Sequence, residues 1–310
     1  MGRPILGGQS SRTPALPTLN TLQLMSSSIP AVVITGVSSG LGLATARGFL
    51  GRGYRVFGSV RTRADAARLS VELGAAFVPL VFDVTDAPAI AQAVAEIERQ
   101  LAGQPLRGLI NNAGIALGGP LQYQPMAEVR QHFEVNVLGL VQVTQALLPL
   151  LGARADFRGR PGRVINIGSV SGQVAAPFVG AYVGSKFALE GLTATWRREL
   201  QLFGVGMVLI GLGVTQTPIW DKGMALEPYR ATPYHGPAQR FAAYVNQTRT
   251  QGLTPEYVAG RLVRIFEAPR PRLRYTIAPD VLRSWIVPRL VPARVFDWLL
   301  GRGIGLLPKR

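Results

Sequence analysis

Short apolar runs alternate with longer segments of helical periodicity along most of this chain, and that alternation restricts the fold more than any other feature. Seven runs have the length and apolar content of buried strands: "AVVIT", "YRVFGSV", "AAFVPLVFDV", "LRGLINNAG", "GRVINIGS", "VGMVLIGLG" and "RLRYTIA". Helical patterns lie between them, beginning with "LGLATARGFLGRG", which closes on Gly53. Strands that alternate with helices predict a parallel sheet covered by helices on both faces. We therefore predict one doubly wound α/β domain over residues 29–278, with a mainly parallel, seven-stranded sheet.

The composition excludes several classes of protein. The 310 residues contain no cysteine and two histidines, so disulfides, thiolate sites and metal centres of ordinary type are not expected. The formal net charge is +16. The sequence nevertheless has no zinc-finger spacing, RNP-type run or basic helix that would present base-reading side chains, so we predict no nucleic-acid partner. Arginine supplies nearly all of the positive charge, because the lysines are Lys186, Lys222 and Lys309 alone.

Two segments need a decision about membranes and targeting. Residues 1–28 are rich in proline, glycine and serine and have no continuous apolar core for a secretory signal. We predict a disordered N-terminal extension there, with Met25 as an alternative start, and a cytoplasmic protein. The longest uncharged run, residues 135–153, reaches membrane-spanning length but carries several polar side chains and a proline. A helix buried in the α/β fold or at a subunit interface fits this run better.

A glycine-rich turn, "TGVSSGLG" from Thr35 to Gly42, follows the first strand and opens the first helix. Gly36 permits a tight turn, Gly40 lets the backbone approach a pyrophosphate, and Gly42 allows close packing of the helix. The free amides at the helix N-terminus favour phosphate. The pattern therefore predicts a dinucleotide site, with an ordinary strand-to-helix turn as the alternative.

Tyr182 and Lys186 form the second informative pattern. They are four residues apart, so on a helix they share one face. A phenol with a pKa of about 10 is a poor base at neutral pH, and lowering that pKa by about three units needs about 4 kcal/mol of support for the phenolate. An ammonium group nearby favours the charged form. We therefore expect Lys186 to lower the pKa of Tyr182, which would act as a general acid/base.

These motifs, with others in the same order, resemble the short-chain dehydrogenase/reductase family over roughly residues 30–220. The glycine spacing is G-x-x-x-G-x-G, "DV" (Asp83 and Val84) follows strand three, "NNAG" follows strand four, and "EVNVLG" contains Asn136. The resemblance implies a Rossmann-type fold and a catalytic set of Asn136, Ser169, Tyr182 and Lys186. In that set Ser169 orients the substrate oxygen, Lys186 also holds the nicotinamide ribose, and Asn136 holds a water that links Lys186 to solvent. For Asn136 the alternative is a buried polar residue that satisfies local backbone, and for Tyr182 it is a core aromatic.

The same resemblance, with the glycine turn, predicts the cofactor contacts. They are Thr35, Gly36, Ser38, Ser39, Gly40, Leu41, Gly42, Arg61, Asp83, Val84, Asn111, Ala113, Gly114, Tyr182, Lys186, Gly213, Val214, Thr215 and Thr217. After strand six the family has Pro-Gly, but this chain has Leu212 before Gly213. Because proline stiffens such a turn, Leu212 puts the rigidity of this segment in question.

The residues after strand two favour NADP(H) over NAD(H). Enzymes that select NAD usually place an acid there for the ribose 2′-hydroxyl, whereas this chain has Val60 followed by Arg61. An arginine can grip a 2′-phosphate with two hydrogen bonds, and Ser38 or Ser39 would add a hydroxyl contact. The alternative is that Arg61 is a solvated surface charge.

Residues 218–253 form the expected substrate loop. The loop contains Trp220, Met224, Tyr229, Tyr234, Phe241 and Tyr244. An apolar alcohol or carbonyl such as a steroid, retinoid or long-chain compound would suit them, but the same aromatics could simply pack the loop. The "TPIW" run and the long C-terminal segment resemble the hydroxysteroid and retinol dehydrogenase branch.

The C-terminal extension, residues 279–310, is basic and aromatic. It either makes peripheral contact with an anionic membrane or packs on its own domain or a neighbouring subunit. The uncharged helix around residues 135–151 suggests a homodimer or homotetramer. The leading function is an NADP(H)-dependent oxidoreductase that interconverts an alcohol and its ketone or aldehyde. The alternatives are an NADP(H)-binding regulator without catalysis and a membrane-surface scaffold.

Overall fold

Seven strands form one sheet at the centre of the protein. The structure is a computed structural model that describes residues 29–220 and 225–308. The strands are β1 (Ala31–Ile34), β2 (Arg55–Val60), β3 (Phe77–Val81), β4 (Gly108–Asn111), β5 (Arg163–Ser169), β6 (Gly206–Leu212) and β7 (Arg274–Ile277). Their order across the sheet is β3-β2-β1-β4-β5-β6-β7, and every neighbouring pair is parallel. The predicted doubly wound sheet is therefore confirmed, and it is wholly rather than mainly parallel.

Helices cover both faces of this sheet. They are α1 (Gly40–Leu50), α2 (Arg63–Leu73), α3 (Ala87–Leu101), α4 (Met126–Phe133), α5 (Leu140–Leu151), α6 (Gly180–Glu199), α7 (His235–Thr250), α8 (Pro255–Glu267), α9 (Val287–Leu290) and α10 (Ala293–Ile304). Alternate residues of a strand point to opposite faces. Val32 and Ile34 accordingly join the core beneath α1, α2 and α8, whereas Val33 joins the core beneath α3 and α5.

Several of these helices begin after a residue whose side chain caps the first turn. The Thr62 hydroxyl accepts a hydrogen bond from the amide of Asp65, and the Asp86 carboxylate accepts one from the amide of Ala89. Thr254 caps α8 in the same way. Each cap satisfies an amide that the helix leaves unpaired, which stabilises the fold by about 1 kcal/mol.

A π-helical turn, Glu134–Gly139, joins α4 to α5. The continuous helix from Met126 to Leu151 is the one helix in the described residues that is long and apolar enough to cross a membrane, and 44% of its most apolar window is buried inside the protein. Val143, Leu147 and Leu151 of α5 belong to the core beneath the sheet. This packing agrees with the prediction of a helix buried in the α/β fold.

The C-terminal segment packs on its own domain. Ile304 of α10 is buried, its carbonyl oxygen accepts a hydrogen bond from Nε of Arg240 in α7 at 2.8 Å, and Nε1 of Trp285 donates to Oε1 of Gln173 at 2.8 Å. The predicted disorder of residues 1–28 lies outside the described residues, as do residues 221–224 and 309–310. The domain boundaries at 29, 278 and 279 remain predictions.

Candidate active site

The glycine turn after β1 has the backbone shape that its spacing predicts. Gly36 and Gly40 have φ angles of +71° and +55°, in the left-handed region that favours glycine. A Cβ at Gly42 would collide with the carbonyl of Gly36, so only glycine lets α1 start this close to the turn. The amide of Gly36 donates to Oγ of Ser59 in β2 at 2.9 Å. The resulting cradle presents the N-terminus of α1, which suits a pyrophosphate.

The end of β4 is tied to this turn. The hydroxyl of Thr35 accepts hydrogen bonds from the amides of Asn112 and Ala113, each at 3.0 Å. The side-chain amide of Asn112 donates to the carbonyls of Thr35 (2.9 Å) and Gly36 (3.0 Å). The side chain of Thr35 therefore holds the end of β4 against the glycine turn. Asn112 was missed as a site residue, although the "NNAG" motif that contains it was the signal.

Two predicted cofactor contacts have side chains that lie in the core. Asn111 is 3% exposed, and its amide nitrogen donates to Oγ1 of Thr144 (2.8 Å) and Oδ1 of Asn166 (2.9 Å). Leu41 is 6% exposed and belongs to the core beneath α1. These two side chains are satisfied inside the fold, so the predicted cofactor contacts of Asn111 and Leu41 stay predictions and would be made through their backbone atoms.

The rim beside β2 is open and positively charged. Ser39 is the exposed N-cap residue of α1, and its hydroxyl makes no capping bond. Arg61 is also exposed, makes no hydrogen bond or ion pair with the described residues, and interacts through space with Asp65. Nη2 of Arg68 donates to the carbonyl of Ser38 at 2.8 Å. The predicted anion contacts therefore share one surface next to the glycine turn.

Asp83 and Val84 follow β3. The Asp83 carboxylate accepts hydrogen bonds from the amide (2.9 Å) and hydroxyl (2.8 Å) of Thr85. Val84 is 8% exposed and contacts Gly139 so closely that a Cβ there would lie 2.8 Å from Cγ2 of Val84. These contacts fix the segment between β3 and the π-helical turn.

Asn136 lies on the π-helical turn and is 1% exposed. Its Oδ1 accepts from the amide of Ile115 (2.8 Å), and its Nδ2 donates to the carbonyl of Ile115 (3.0 Å) and to Oγ of Ser185 (3.0 Å). Ser185 in turn donates to the carbonyl of Tyr182 at 2.7 Å. Asn136 thus joins the segment after β4 to α6, and its place in the catalytic set stays a prediction. Ser185 is a further residue that sequence reasoning missed.

Ser169 and Tyr182 meet beyond the carboxyl end of β5. Ser169 is the last residue of β5 and Tyr182 lies in the first turn of α6, and their side chains are joined by a hydrogen bond. Oγ of Ser169 also accepts from the amide of Ser171 at 3.0 Å. Burial raises the pKa of Tyr182, because the phenolate loses its hydration, and the hydrogen bond with Ser169 opposes that rise.

Lys186 lies one turn further along α6. Its Nζ donates to the carbonyl of Ile167 at 3.0 Å and lies 5.7 Å from the centre of the Tyr182 ring. Burial lowers the pKa of Lys186 to about 8. The expected fall in the pKa of Tyr182 is not found in this structure, because desolvation of the phenol outweighs every opposing influence.

The segment after β6 is held by a distant loop. Thr215 forms a parallel bridge with Leu253, and the amide of Gln216 donates to the carbonyl of Leu253 at 2.9 Å. Nε2 of Gln216 donates to the carbonyls of Thr250 (3.2 Å) and Gly252 (2.9 Å). Contacts from residues 250–253 therefore hold residues 213–217 in a chain that has Leu212 in place of the family's proline, and the effect of Leu212 on the rigidity of the segment stays a prediction.

Further contacts place the other residues of this segment. The amide of Gly213 donates to the carbonyl of Ile277 at 2.8 Å, and the carbonyl of Val214 accepts from the amide of Leu253 at 3.1 Å. Thr217 and Pro218 reach the glycine turn, since a Cβ at Gly40 would lie 3.4 Å and 3.2 Å from them. Gly114 faces the catalytic set, where a Cβ would lie 3.0 Å from Oδ1 of Asn136 and 3.9 Å from Nζ of Lys186.

An apolar cluster surrounds the Tyr182 ring. Its buried members include Phe178, Val179 and Phe241, and Ile304 of α10 joins them. Tyr234 packs edge-on against Phe178 with ring centres 6.2 Å apart, and Tyr229 is buried. Tyr244, in contrast, is 60% exposed on the outer side of α7. Met224 and the side chain of Trp220 lie outside the described part of the chain.

These features define a class of protein, an oxidoreductase with a Rossmann-type fold and a nicotinamide dinucleotide cofactor. The left-handed glycines, the close start of α1 and the exposed arginine rim match a dinucleotide. A buried serine, tyrosine and lysine lie beyond β5, two strands from β1 at the same edge of the sheet. Among the described residues, no group of three or more histidine, aspartate and glutamate side chains could hold a metal ion.

Comparison with known proteins identifies the family. The short chain dehydrogenase family matches residues 30–225, and the chain belongs to this family, near its retinol and hydroxysteroid branch. It is 41% identical over 266 residues to an NADPH-dependent 3-dehydrocapnine reductase of Ornithobacterium rhinotracheale, covering 86% of this chain and 94% of that protein. It is 31% identical over 291 residues to human retinol dehydrogenase 5, covering 88% and 89%.

A solved structure agrees with this assignment. The crystal structure of a short-chain dehydrogenase from Streptomyces avermitilis superposes with a TM-score of 0.72 at 26% identity, over 92% of this chain and 100% of that chain. The protein is accordingly an oxidoreductase that interconverts alcohols and carbonyl compounds with a nicotinamide cofactor.

Proposed function

We propose that the protein is an NADP(H)-dependent oxidoreductase that reduces an apolar, lipid-like ketone or aldehyde and can oxidise the corresponding alcohol. The observation that carries this proposal is the meeting of Ser169, Tyr182 and Lys186 beyond β5, with all three side chains buried and Ser169 bonded to Tyr182. The burial of an ammonium group beside a phenol and a hydroxyl costs stability even when these groups are hydrogen-bonded. Proton transfer to a substrate oxygen is the function that this arrangement supports.

The protonation state of Tyr182 favours the reductive direction. Burial raises the pKa of its phenol, so at neutral pH the group is protonated. In that form it donates a proton to a carbonyl oxygen, while Ser169 holds the same oxygen. The cofactor supplies the hydride when bound. Lys186, with a pKa lowered to about 8, is still mostly charged at neutral pH and stabilises the phenolate that remains after the proton has left.

The arginine rim supports NADP(H) over NAD(H). Arg61 stands at the position where an acid would hold a 2′-hydroxyl, and its guanidinium is free of strong partners among the described residues. Ser39 presents on the same rim an exposed hydroxyl that makes no capping bond with α1. The reductase from Ornithobacterium rhinotracheale, which the chain resembles over most of its length, is named as NADPH-dependent. The residues proposed to hold the dinucleotide are Gly36, Ser38, Ser39, Gly40, Gly42, Arg61, Asp83, Val84, Ala113, Gly114, Tyr182, Lys186, Gly213, Val214, Thr215 and Thr217.

The apolar cluster beside Tyr182 supports an apolar substrate. Phe178 has a φ of +63°, a strained value for a residue of this size, and the amide of Gly119 donates to its carbonyl at 2.7 Å. This strained residue packs against Phe241 with ring centres 5.7 Å apart. The arrangement gives the substrate side of Tyr182 an aromatic wall with few charges, which suits a long-chain carbonyl, a steroid or a retinoid.

Association into a homodimer or homotetramer is part of the proposal. Phe133 of α4, Leu138 of the π-helical turn and Phe187 of α6 are 38%, 45% and 45% exposed. Phe133 lies beside Gly184 of α6, so α4 and α6 share this apolar surface. Such surfaces mark interfaces between subunits. Sedimentation of the wild type and of a Leu138→Glu variant tests it, and a monomeric wild type would refute it.

Two measurements test the main proposal. The purified protein is first titrated with NADPH and with NADH, and the oxidation of NADPH is then followed with ketones of increasing chain length. We expect tighter binding of NADPH and turnover that rises with apolar chain length. Binding of NADPH without turnover of any carbonyl would favour a cofactor-binding regulator instead. Tighter binding of NADH would leave the oxidoreductase in place and refute the role of Arg61.

A further inference from the structure

The helix α10 is apolar on two opposite faces, and the residues that the structure describes cover only one of them. Leu300, Gly301 and Ile304 form the inner face, which packs into the cluster around Phe241 and Tyr182. Val295, Trp298 and Leu299, spaced i, i+3 and i+4, form the outer face and are 48%, 49% and 53% exposed. A helix of a protein with one uncovered apolar face normally has a partner for it.

Further exposed apolar side chains lie close to this face in the chain. Leu290 of α9 is 78% exposed, Val287 is 41% exposed and Leu307, just after α10, is 40% exposed. We call the outer face of α10 together with these three residues the C-terminal apolar patch. A single exposed leucine needs no explanation, but the six side chains of the patch, together with Leu306 at 36% exposure, are concentrated within 21 residues of chain (287–307).

Arginines accompany the patch. Arg294 and Arg302 of α10 and Arg289 of α9 are exposed, against one acidic residue, Asp297, within α10. The guanidinium of Arg302 lies 5.4 Å from the centre of the Trp298 ring, and that of Arg289 lies 4.7 Å from the centre of the Trp285 ring. The patch therefore combines large apolar side chains, positive charge and an amphipathic tryptophan. This combination is the signature of a helix that lies in the interface of a lipid bilayer.

We propose that the C-terminal apolar patch docks the protein onto an anionic lipid surface, with Val295, Trp298 and Leu299 entering the headgroup region and Arg294 and Arg302 binding lipid phosphates. Charge selects this occupant over a second copy of the chain. The formal net charge is +16, so two copies joined through this patch would bring arginines of like charge together, whereas an anionic bilayer is complementary.

Docking there would place lipid beside the candidate substrate side of the enzyme. The inner face of α10 shares its apolar cluster with Tyr182, and the carbonyl of Ile304 is bonded to Arg240 in α7. One helix thus touches the membrane on its outer face and the surroundings of the reactive phenol on its inner face. Membrane docking does not depend on the proposed reaction, since it rests on the outer face alone.

Cosedimentation with vesicles tests the proposal. The full chain is mixed with vesicles of phosphatidylcholine, with and without phosphatidylglycerol, at low and at high salt. We expect binding to the anionic vesicles that weakens at high salt. The pair Arg294→Gln with Arg302→Gln should reduce the partition coefficient about fivefold for each arginine. The pair Trp298→Ala with Leu299→Ala should reduce it about tenfold or more.

Leu202→Ala is the matched control. Leu202 is an exposed leucine (82%) just before β6, so it lies at the amino ends of the strands, whereas Tyr182 and its cluster lie beyond the carboxyl ends. Its replacement should therefore leave vesicle binding unchanged. NADPH affinity and thermal unfolding of each variant check that the fold is intact. Point variants are preferable to deletion, because removal of α10 would take away Leu300 and Ile304 and uncover the cluster around Phe241. Absence of binding to anionic vesicles, or equal losses in all three variants, would overturn the proposal. A change of oligomeric state in the Trp298/Leu299 variant, without vesicle binding by the wild type, would assign the patch to a second copy instead.

Discussion

Lys186 and Ile167 are joined by a hydrogen bond of 3.0 Å from the lysine ammonium to the strand carbonyl, and this bond ties α6 to β5 two residues before Ser169. The lysine therefore has two effects. Its charge lies 5.7 Å from the centre of the Tyr182 ring, and its hydrogen bond holds the helix that carries Tyr182 against the strand that carries Ser169. An arginine could make a similar bond but could not have its pKa brought to about 8 by burial.

Replacement of Tyr182 by phenylalanine should remove the proton donor while keeping the ring that packs in the apolar cluster. We expect turnover to fall by about 10²- to 10⁴-fold, with NADPH affinity nearly unchanged. Steady-state rates and fluorescence titration measure the two quantities. Tyr244→Phe is the control, since Tyr244 is 60% exposed. A Tyr182→Phe variant with wild-type turnover would refute the proton-transfer role.

Replacement of Arg61 by alanine should affect the two cofactors differently. The lost guanidinium would remove a charge-assisted bond to a 2′-phosphate, which is worth about 1.5–3 kcal/mol, so Kd for NADPH should rise about tenfold to a hundredfold. Kd for NADH should change little. Arg63→Ala, an exposed neighbour in α2, is the matched control. Equal losses for both cofactors would show that Arg61 does not recognise the phosphate.

The sheet and the positions of the motifs could be predicted because both depend on local sequence. All seven apolar runs became strands, within three residues at every boundary, and Ser169 ends β5 as expected. The carboxyl ends of parallel strands lie at one edge of the sheet, so the residues that follow these strands are expected to lie close together. The direction of a side chain is harder to predict, because it depends on neighbours from other strands. Asn111 turned inward to Thr144 and Asn166, which lie 33 and 55 residues away.

Contacts between distant loops left no pattern in the sequence. Nothing in the residues around Gln216 predicts its bonds with Thr250, Gly252 and Leu253, which depend on where α7 ends. The pKa of Tyr182 likewise depends on how deeply the finished fold buries it, whereas the sequence shows only that a lysine follows one turn later. The sequence also left open whether the C-terminal segment packs on its own domain or on a neighbouring subunit.

Gln216 should replace the missing proline in stiffening the segment after β6. Gln216→Ala removes the bonds to Thr250 and Gly252, each worth about 0.5–1.5 kcal/mol. We expect Kd for NADPH to rise about threefold to tenfold with little change in thermal unfolding, because the loop would have to be ordered on binding. Gln251→Ala, whose side chain makes no bond among the described residues, is the control. An unchanged Kd in Gln216→Ala would mean that the bridge between Thr215 and Leu253 holds the segment alone.

His132 should make the stability of the protein depend on pH. The ring is fully buried, its Nε2 accepts from the amide of Leu117 at 2.9 Å, and its Nδ1 lies 2.7 Å from the carbonyl of Glu128. A neutral ring with the proton on Nδ1 satisfies both bonds, whereas a protonated ring would set an N–H against the amide of Leu117. Burial lowers the pKa of His132 below its ordinary value of 6.5, and the nearby Glu128 opposes this effect.

The sign of the pH effect follows from that lowered pKa. Below about pH 6.5 the unfolded chain takes up a proton on His132 that the folded protein refuses, so the free energy of unfolding should fall as the pH falls, by up to about 1.4 kcal/mol per pH unit. His132→Gln keeps an acceptor for Leu117 but cannot titrate, and its stability should decline less steeply by that amount. Urea unfolding of both proteins between pH 8 and pH 5 measures the difference. Parallel pH profiles for the two proteins would mean that His132 is as easily protonated in the fold as in the unfolded chain, and that the loop after β4 does not depend on its neutral form.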